Sequence, residues 1–366
     1  MNRLPSPPLV FGLGLLALAA CGENDLPTQP PTEPTAAPVL ATFAANSWTA
    51  RAAYPLDTVP GVTAVGPGGQ AGVVNNSAGQ PIVYMIGDRD DEDCCEVPIG
   101  RYNVATNVWS FAPRQQPVGV LVYGTNGVAN IGGKLFFSGG YDKGGSVVEI
   151  TFRTTVYDPV ANTLTERASL PKASADGISA VINDQLYVLP GTCSTEWVGS
   201  QYCDTESYRR LFRYNPATDH WVSKKLAPHY HKNGAGGAIS GKFYVVGGEE
   251  RYTRAPVTTL DVYDPATETW KTLAPVPVGG RMTGAVLRNK LFVLVSSSAN
   301  GQVTNHVYAY DPTTNHWNAK ASPKWGHAAL VLVRLPDGPH LVAVGGAHFD
   351  ASVDAYVSND TELYTP

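Results

Sequence analysis

His229-Tyr230-His231 places two imidazoles two residues apart in one loop, and His327 and His348 follow farther along the chain. Imidazole binds copper and zinc, and it moves protons near neutral pH. Glu249-Glu250-Arg251-Tyr252 sets two carboxylates beside a guanidinium, and Arg114 and Arg281 add further cations. Carboxylates and imidazoles can act as bases and acids, and a guanidinium can hold an anion. If the chain is an enzyme, the candidate catalytic set is Glu249, Glu250, His231 and Arg281. Trp197, Tyr230, Tyr252 and Trp325, interspersed with Arg and His, suit stacking and hydrogen bonding to a glycan or a protein surface instead. Each residue also has a plainer reading. The histidines read equally as polar surface, and Arg281 as a loop-structuring residue. The acidic run Asp88–Glu96 clusters oxygens as Ca²⁺ prefers, yet it lacks the spacing of a calcium loop and reads as solvated charge. No metal and no cofactor is expected.

The elements that must position these residues are short strands. The 366 residues include 37 Gly and 29 Pro, and only 16% are charged. Gly and Pro interrupt helices, and helical bundles need charged outer faces, so a mainly helical fold is excluded. Hydrophobic residues at 43% and a net charge of −5 supply a core and argue against disorder. The acidic balance, with a pI near 5.9, argues against a nucleic-acid partner.

A repeat organises the chain. Tyr102-Asn103-Val104-Ala105-Thr106-Asn107-Val108-Trp109 recurs from Tyr157, Tyr214, Tyr263 and Tyr310, and Tyr364 begins a further copy at the end of the chain. Asp or Asn followed by Pro, as in Tyr263-Asp264-Pro265, sets a type I turn, because the side chain bonds the backbone ahead and Pro presets φ. Each copy is thus a hairpin with Tyr on one strand and, except for Leu164 in the second copy, Trp on the next. A strand ending in Gly-Gly, or in a degraded form of it, precedes each hairpin. Phe243-Tyr244-Val245-Val246-Gly247-Gly248 is the clearest case, and Leu291 to Ser296 is a degraded one. The unit is four strands, a to d, with Gly-Gly after b, Tyr on c and Trp on d. These motifs resemble the kelch repeat, over 46–366. The resemblance implies an all-β, six-bladed β-propeller. The last copy lacks strand d, and the orphan Trp48 supplies one, so the N-terminal strand is expected to close the last blade. The long b–c and d–a loops then share one face, which carries the candidate residues above.

The amino terminus reads as an address. Leu9 to Ala20 is apolar, too short to span a bilayer but long enough for a signal peptide. Leu18-Ala19-Ala20-Cys21 resembles the bacterial lipobox, which implies lipidation at Cys21. Residues 22–45, rich in Pro and Thr, read as a tether. The expected location is the bacterial cell envelope, with the membrane reached through the lipid alone. Four cysteines remain, an even number in an exported chain. Cys193 and Cys203 are expected to staple one loop. The adjacent Cys94 and Cys95 form a vicinal disulfide, stay as thiols, or pair with the blade-three cysteines if the two loops meet.

Kelch folds host many functions. The expected function is a binding module for a glycan or protein ligand. An architectural resemblance to bacterial N-acetylneuraminate epimerase offers a sugar-modifying enzyme as the alternative; it implies a base and an acid at the sugar's anomeric centre and an arginine for its carboxylate, types that Glu249 or Glu250, His231 and Arg251 or Arg281 supply. Galactose oxidase, a copper kelch propeller, offers a second; this chain departs from it in blade number and in having no cysteine obviously placed to crosslink a tyrosine.

Overall fold

The computed structural model describes residues 45–55, 70–86, 99–113, 124–142, 149–193, 206–250, 253–299, 302–324, 326–345, 348–350, 355–357 and 360–366. The chain divides into two units, Met1–Val39 and Leu40–Pro366, and every described residue lies in the second. The expected tether and Cys21 fall outside the described residues.

Six four-stranded antiparallel sheets follow one another along the chain. In order a, b, c, d, blade one is Gln70–Asn75, Pro81–Ile86, Gly100–Asn103 and Val108–Phe111. Blade two is Val128–Ile131, Lys134–Ser138, Thr154–Asp158 and Thr163–Arg167. Blade three is Ile178–Ile182, Gln185–Leu189, Arg210–Asn215 and His220–Leu226. Blade four is Ala235–Ile239, Lys242–Val246, Leu260–Asp264 and Thr269–Leu273. Blade five is Met282–Leu287, Lys290–Ala299, Gln302–Asp311 and His316–Lys320. Blade six takes strands a to c from Ala329–Leu335, Gly338–Val344 and Thr361–Thr365. Its strand d is Ser47–Ala50, with Trp48 opposite Tyr364. Each strand a touches the strands a of its two neighbours, and blade one touches blade six, so the inner strands close a ring. This is a six-bladed β-propeller closed by the N-terminal strand.

The repeated residues explain why the blades stay together. All six motif tyrosines are buried. Five residues after each chain-internal tyrosine comes a residue with positive φ: Asn107, Asn162, Asp219, Glu268 and Asn315. Asn46 takes that place for Tyr364. Asn and Asp tolerate this left-handed backbone better than most residues. In blade one the Asn107 side-chain oxygen accepts from Tyr102 Oη at 2.7 Å and from Ala52 N, just past strand d of the preceding blade, at 2.9 Å. Trp109 Nε1 then donates to the carbonyl of the same Ala52 at 2.9 Å. Asp219 and Trp221 grip Ala168 in the same way. Asn315 and Trp317 grip Ala274, and Asn46 and Trp48 grip Ala321. Each net hydrogen bond contributes about 1 kcal/mol. Tyr, Asn and Trp therefore form an inter-blade clamp, and the N-terminal strand supplies two of its three parts for blade six.

Two blades depart from it. Blade two has Leu164 in place of Trp, and Asn162 Nδ2 donates to the Pro113 carbonyl. In blade four Glu268 replaces Asn and turns to Lys224, leaving Tyr263 Oη buried without a partner among the described residues.

The glycine pairs also have a mechanical role. Gly139, Gly140, Gly247, Gly248 and Gly345 have positive φ, which ends strand b and turns the chain outward. Blade five carries Ser296-Ser297 there instead. The strand is not broken, and its ladder runs on to the Ala299–Gln302 pair.

Candidate functional site

The inner strands enclose a central channel of about 360 Å³, lined by small residues from every blade, among them Gly72, Gly127, Gly234 and Gly284. A Cβ on Gly234 would lie 2.6 Å from the Val246 carbonyl oxygen, so the close strand packing requires glycine there.

On the face of the b–c and d–a loops, the channel mouth is built by backbone steps between successive blades. Asp176 N donates to Gly124 O at 2.8 Å, Asn233 N to Asp176 O at 2.9 Å, and Met282 N to Asn233 O at 2.9 Å. Asp176 and Asn233 both have φ of 54°. Glu249 N donates to Lys232 O, and Gly248 N to Gly280 O, which ties the blade-four loop to the same rim.

Polar side chains stand on these steps. Asp176 Oδ2 accepts from Tyr141 Oη at 2.6 Å and Thr192 Oγ1 at 3.4 Å, with Lys232 Nζ 3.7 Å away. Glu249 accepts from Arg281 Nε at 3.1 Å and from Asn233 Nδ2 at 3.3 Å. The Arg281 side chain is 53% exposed and its Glu249 partner only 14%. The rim is thus a set of donors and acceptors from blades two to five, with the half-exposed Arg281 guanidinium at its open edge.

The sequence candidates separate here. Glu249 and Arg281 come together. Glu250 instead accepts from Thr253 N and Oγ1 in its own loop. His231 is 1% exposed and His327 7% exposed, so neither stands on the loop surface where the sequence reading sets it. His231 lies between Gly247 O and Asp261 Oδ2, and His327 between Gly345 O and Glu362 Oε2. His231 is therefore not joined to the Glu249–Arg281 pair, as an acid–base trio would require. His229, half exposed, reaches the same Asp261 Oδ2 at 2.9 Å. Burial pushes the Asp261 carboxyl up, but bonds from His231, Thr272 and His229 and the charge of His231 outweigh it and hold the group below the ordinary carboxylate range. Tyr230 lies against Tyr208, with the Arg209 guanidinium 5.5 Å from its ring centroid. Among the described residues, no three His, Cys, Asp or Glu side chains form a metal-binding group.

Arg114, Trp197, Arg251, Tyr252, Trp325, Cys94, Cys95 and Cys203 lie outside the described residues. Cys193 and His348 are placed only as strand positions, in Thr192–Cys193 and His348–Asp350. Sequence reasoning missed Asp176, Lys232 as a rim contact, Asp261 and Glu362. The last two carried a signal: each stands two residues before a motif tyrosine, where the other copies have Gly100, Thr155, Phe212 and Tyr308.

Comparison with known proteins agrees with this geometry. A family model for the kelch motif matches residues 232–277, which span blade four. The chain is 26% identical over 189 residues to human Kelch-like protein 23, covering 51% of this chain and 31% of that one. It is 25% identical over 227 residues to Kelch-like protein terF of Aspergillus terreus, covering 60% and 48%. The solved structure of YjhT superposes with a TM-score of 0.59 at 15% identity, over 84% of this chain and 95% of that one. The fold is a kelch propeller. The matched part of this chain spans about a third to a half of the length of those curated relatives.

Proposed function

We propose that this kelch propeller is an interaction module whose ligand, a protein or a glycan, docks on the b–c and d–a loop face around the channel mouth. The asymmetry of the two faces carries the reading. On the opposite face the short turns are closed on themselves: Lys134, Lys242 and Lys290 pair with Asp158, Asp264 and Asp311 of the motif turns. On the loop face, among the described residues, Arg281 spends only Nε on Glu249, and its two terminal amino groups are directed to a ligand. A ligand-directed guanidinium set on a rigid rim is what a binding surface needs.

A glycan array and a panel of envelope proteins probed with the chain and with an Arg281→Ala, Lys232→Ala double variant test this. Loss of binding by at least about tenfold in the variant supports the reading, since a buried charge-assisted contact is of that size. Binding that is unchanged overturns the rim as the site.

The same proposal places the propeller in a bacterial envelope, held by lipid on Cys21 through the 22–45 tether. The leader pattern before Cys21 supports this. Cys21→Ala is expected to move the protein from the membrane pellet to the soluble fraction; continued membrane partition contradicts the anchor.

A further inference from the structure

His231 and His327 are the same device in two blades. Each Nδ1 lies 3.0 Å from the carbonyl oxygen of the glycine that follows strand b, Gly247 or Gly345. Each Nε2 faces a carboxylate on strand c, two residues before the motif tyrosine. The distances are 3.1 Å to Asp261 Oδ2 and 2.7 Å to Glu362 Oε2. A carbonyl oxygen only accepts, so each Nδ1 must carry a proton. An ionised carboxylate also only accepts, so each Nε2 must carry one as well. A neutral imidazole has a single ring proton. Each device therefore holds one proton more than a neutral histidine beside a carboxylate provides.

Both histidine side chains are fully buried. Loss of that proton sets an imidazole lone pair against a carboxylate away from solvent, which is costly, and the pair relieves the cost only by separating. The groups that face His231 are Asp261 from strand c and His229 from its own loop, and the Thr272 hydroxyl from strand d closes the far oxygen of Asp261 at 2.7 Å. His327 faces Glu362, whose other oxygen accepts from Lys324 N.

We propose that the two pairs are protonation-dependent latches that fasten the entrances of the inner strands of blades four and six. His231 is followed directly by Lys232 and Asn233, which build the rim, so opening the first latch frees the rim of the ligand face. That consequence for a ligand rests on the proposed function; the latch itself does not.

Hydrogen exchange of the 229–233 and 327–330 amides in the full-length chain, expressed as protection, tests it from about pH 6 to about pH 9, the range around histidine titration. Imidazole ¹⁵N spectra are recorded alongside. Protection in both segments is expected to fall by about tenfold with rising pH, the loss of one charge-assisted hydrogen bond. Asp261→Asn and Glu362→Gln supply a carboxamide N–H that can donate to a neutral Nε2. They are expected to flatten the profile of their own segment and leave the other unchanged. The latches are overturned if wild-type protection stays constant across this range, whatever the protonation state of the rings, or if the two variants keep the wild-type profile. No ligand enters the readout, so a negative result leaves the interaction reading standing.

Discussion

At the residue scale, blade four offers a natural experiment. Tyr310 Oη donates to Asn315 Oδ1 at 2.7 Å, whereas the equivalent Tyr263 Oη is buried without a partner among the described residues because Glu268 has turned to Lys224. Tyr310→Phe removes a made hydrogen bond and is expected to cost about 1 kcal/mol of stability. Tyr263→Phe removes only an unsatisfied buried hydroxyl and is expected to be neutral or stabilising. Urea denaturation of both variants checks the contrast, and an equal loss in the two contradicts it. The type of the clamp residues was legible in the repeat, since periodic recurrence marks Tyr and Trp as core. Their partners were not. The second role of Asn107 and its equivalents, gripping a backbone N–H of the neighbouring blade, depends on which blades become neighbours in space. The histidines were hard to read for a related reason: His231 and His327, in two different d–a loops, read as surface until the acids two residues before Tyr263 and Tyr364 are seen to pair with them.

At the element scale, closure of the ring falls to the short strand Ser47–Ala50. Asn46 and Trp48 both grip Ala321, and Asn46 also accepts from Tyr364 Oη at 2.9 Å. Trp48→Ala is expected to cost about 3 kcal/mol, at the low end for a large aromatic because the side chain is only partly buried. The loss should appear first as weakened exchange protection in Thr361–Thr365, its pairing partner. Uniform loss over all blades contradicts a local seam. This closure was readable from the orphan Trp48 and the missing last strand. The length of blade five was not. Leu291 to Ser296 looked like a worn Gly-Gly ending, yet serines without positive φ let the strand continue, and the ten-residue hairpin follows from that local backbone preference.

At the scale of the whole molecule, the chain has two titration limits. Hydrogen bonds from Lys134 and Lys242 to Asp158 and Asp264 lower these carboxyls, and Thr313 with Lys290 lowers Asp311. A group depressed in the fold contributes stability above its unfolded value, 3.8 here, and loses it as pH falls through the lower folded value. The thermal midpoint is expected to drop below about pH 4. Burial pushes Tyr157, Tyr263 and Tyr310 up to about 12 from 10.0. A group raised in the fold contributes stability fully present below 10.0 and lost as pH rises to about 12. Unfolding is therefore expected in that window, with phenolate absorbance rising together with loss of β-sheet signal; phenolate absorbance that rises while the sheet remains contradicts the buried tyrosine ring. The architecture was legible because it repeats six times. The rim was not, because it is assembled once, from Tyr141, Asp176, Lys232, Glu249 and Arg281 in different blades, and no repeat announces it. The central claim is that the loop face, and not the turn face, meets the ligand. A photo-crosslinking side chain placed at position 255, an exposed site in the blade-four b–c loop that leaves Arg281 and Lys232 in place, and separately at position 160 on the opposite face where Val160 is 95% exposed, tests it directly in cells. Adducts from position 255 with none from position 160 are the result expected. Adducts from position 160 alone contradict it.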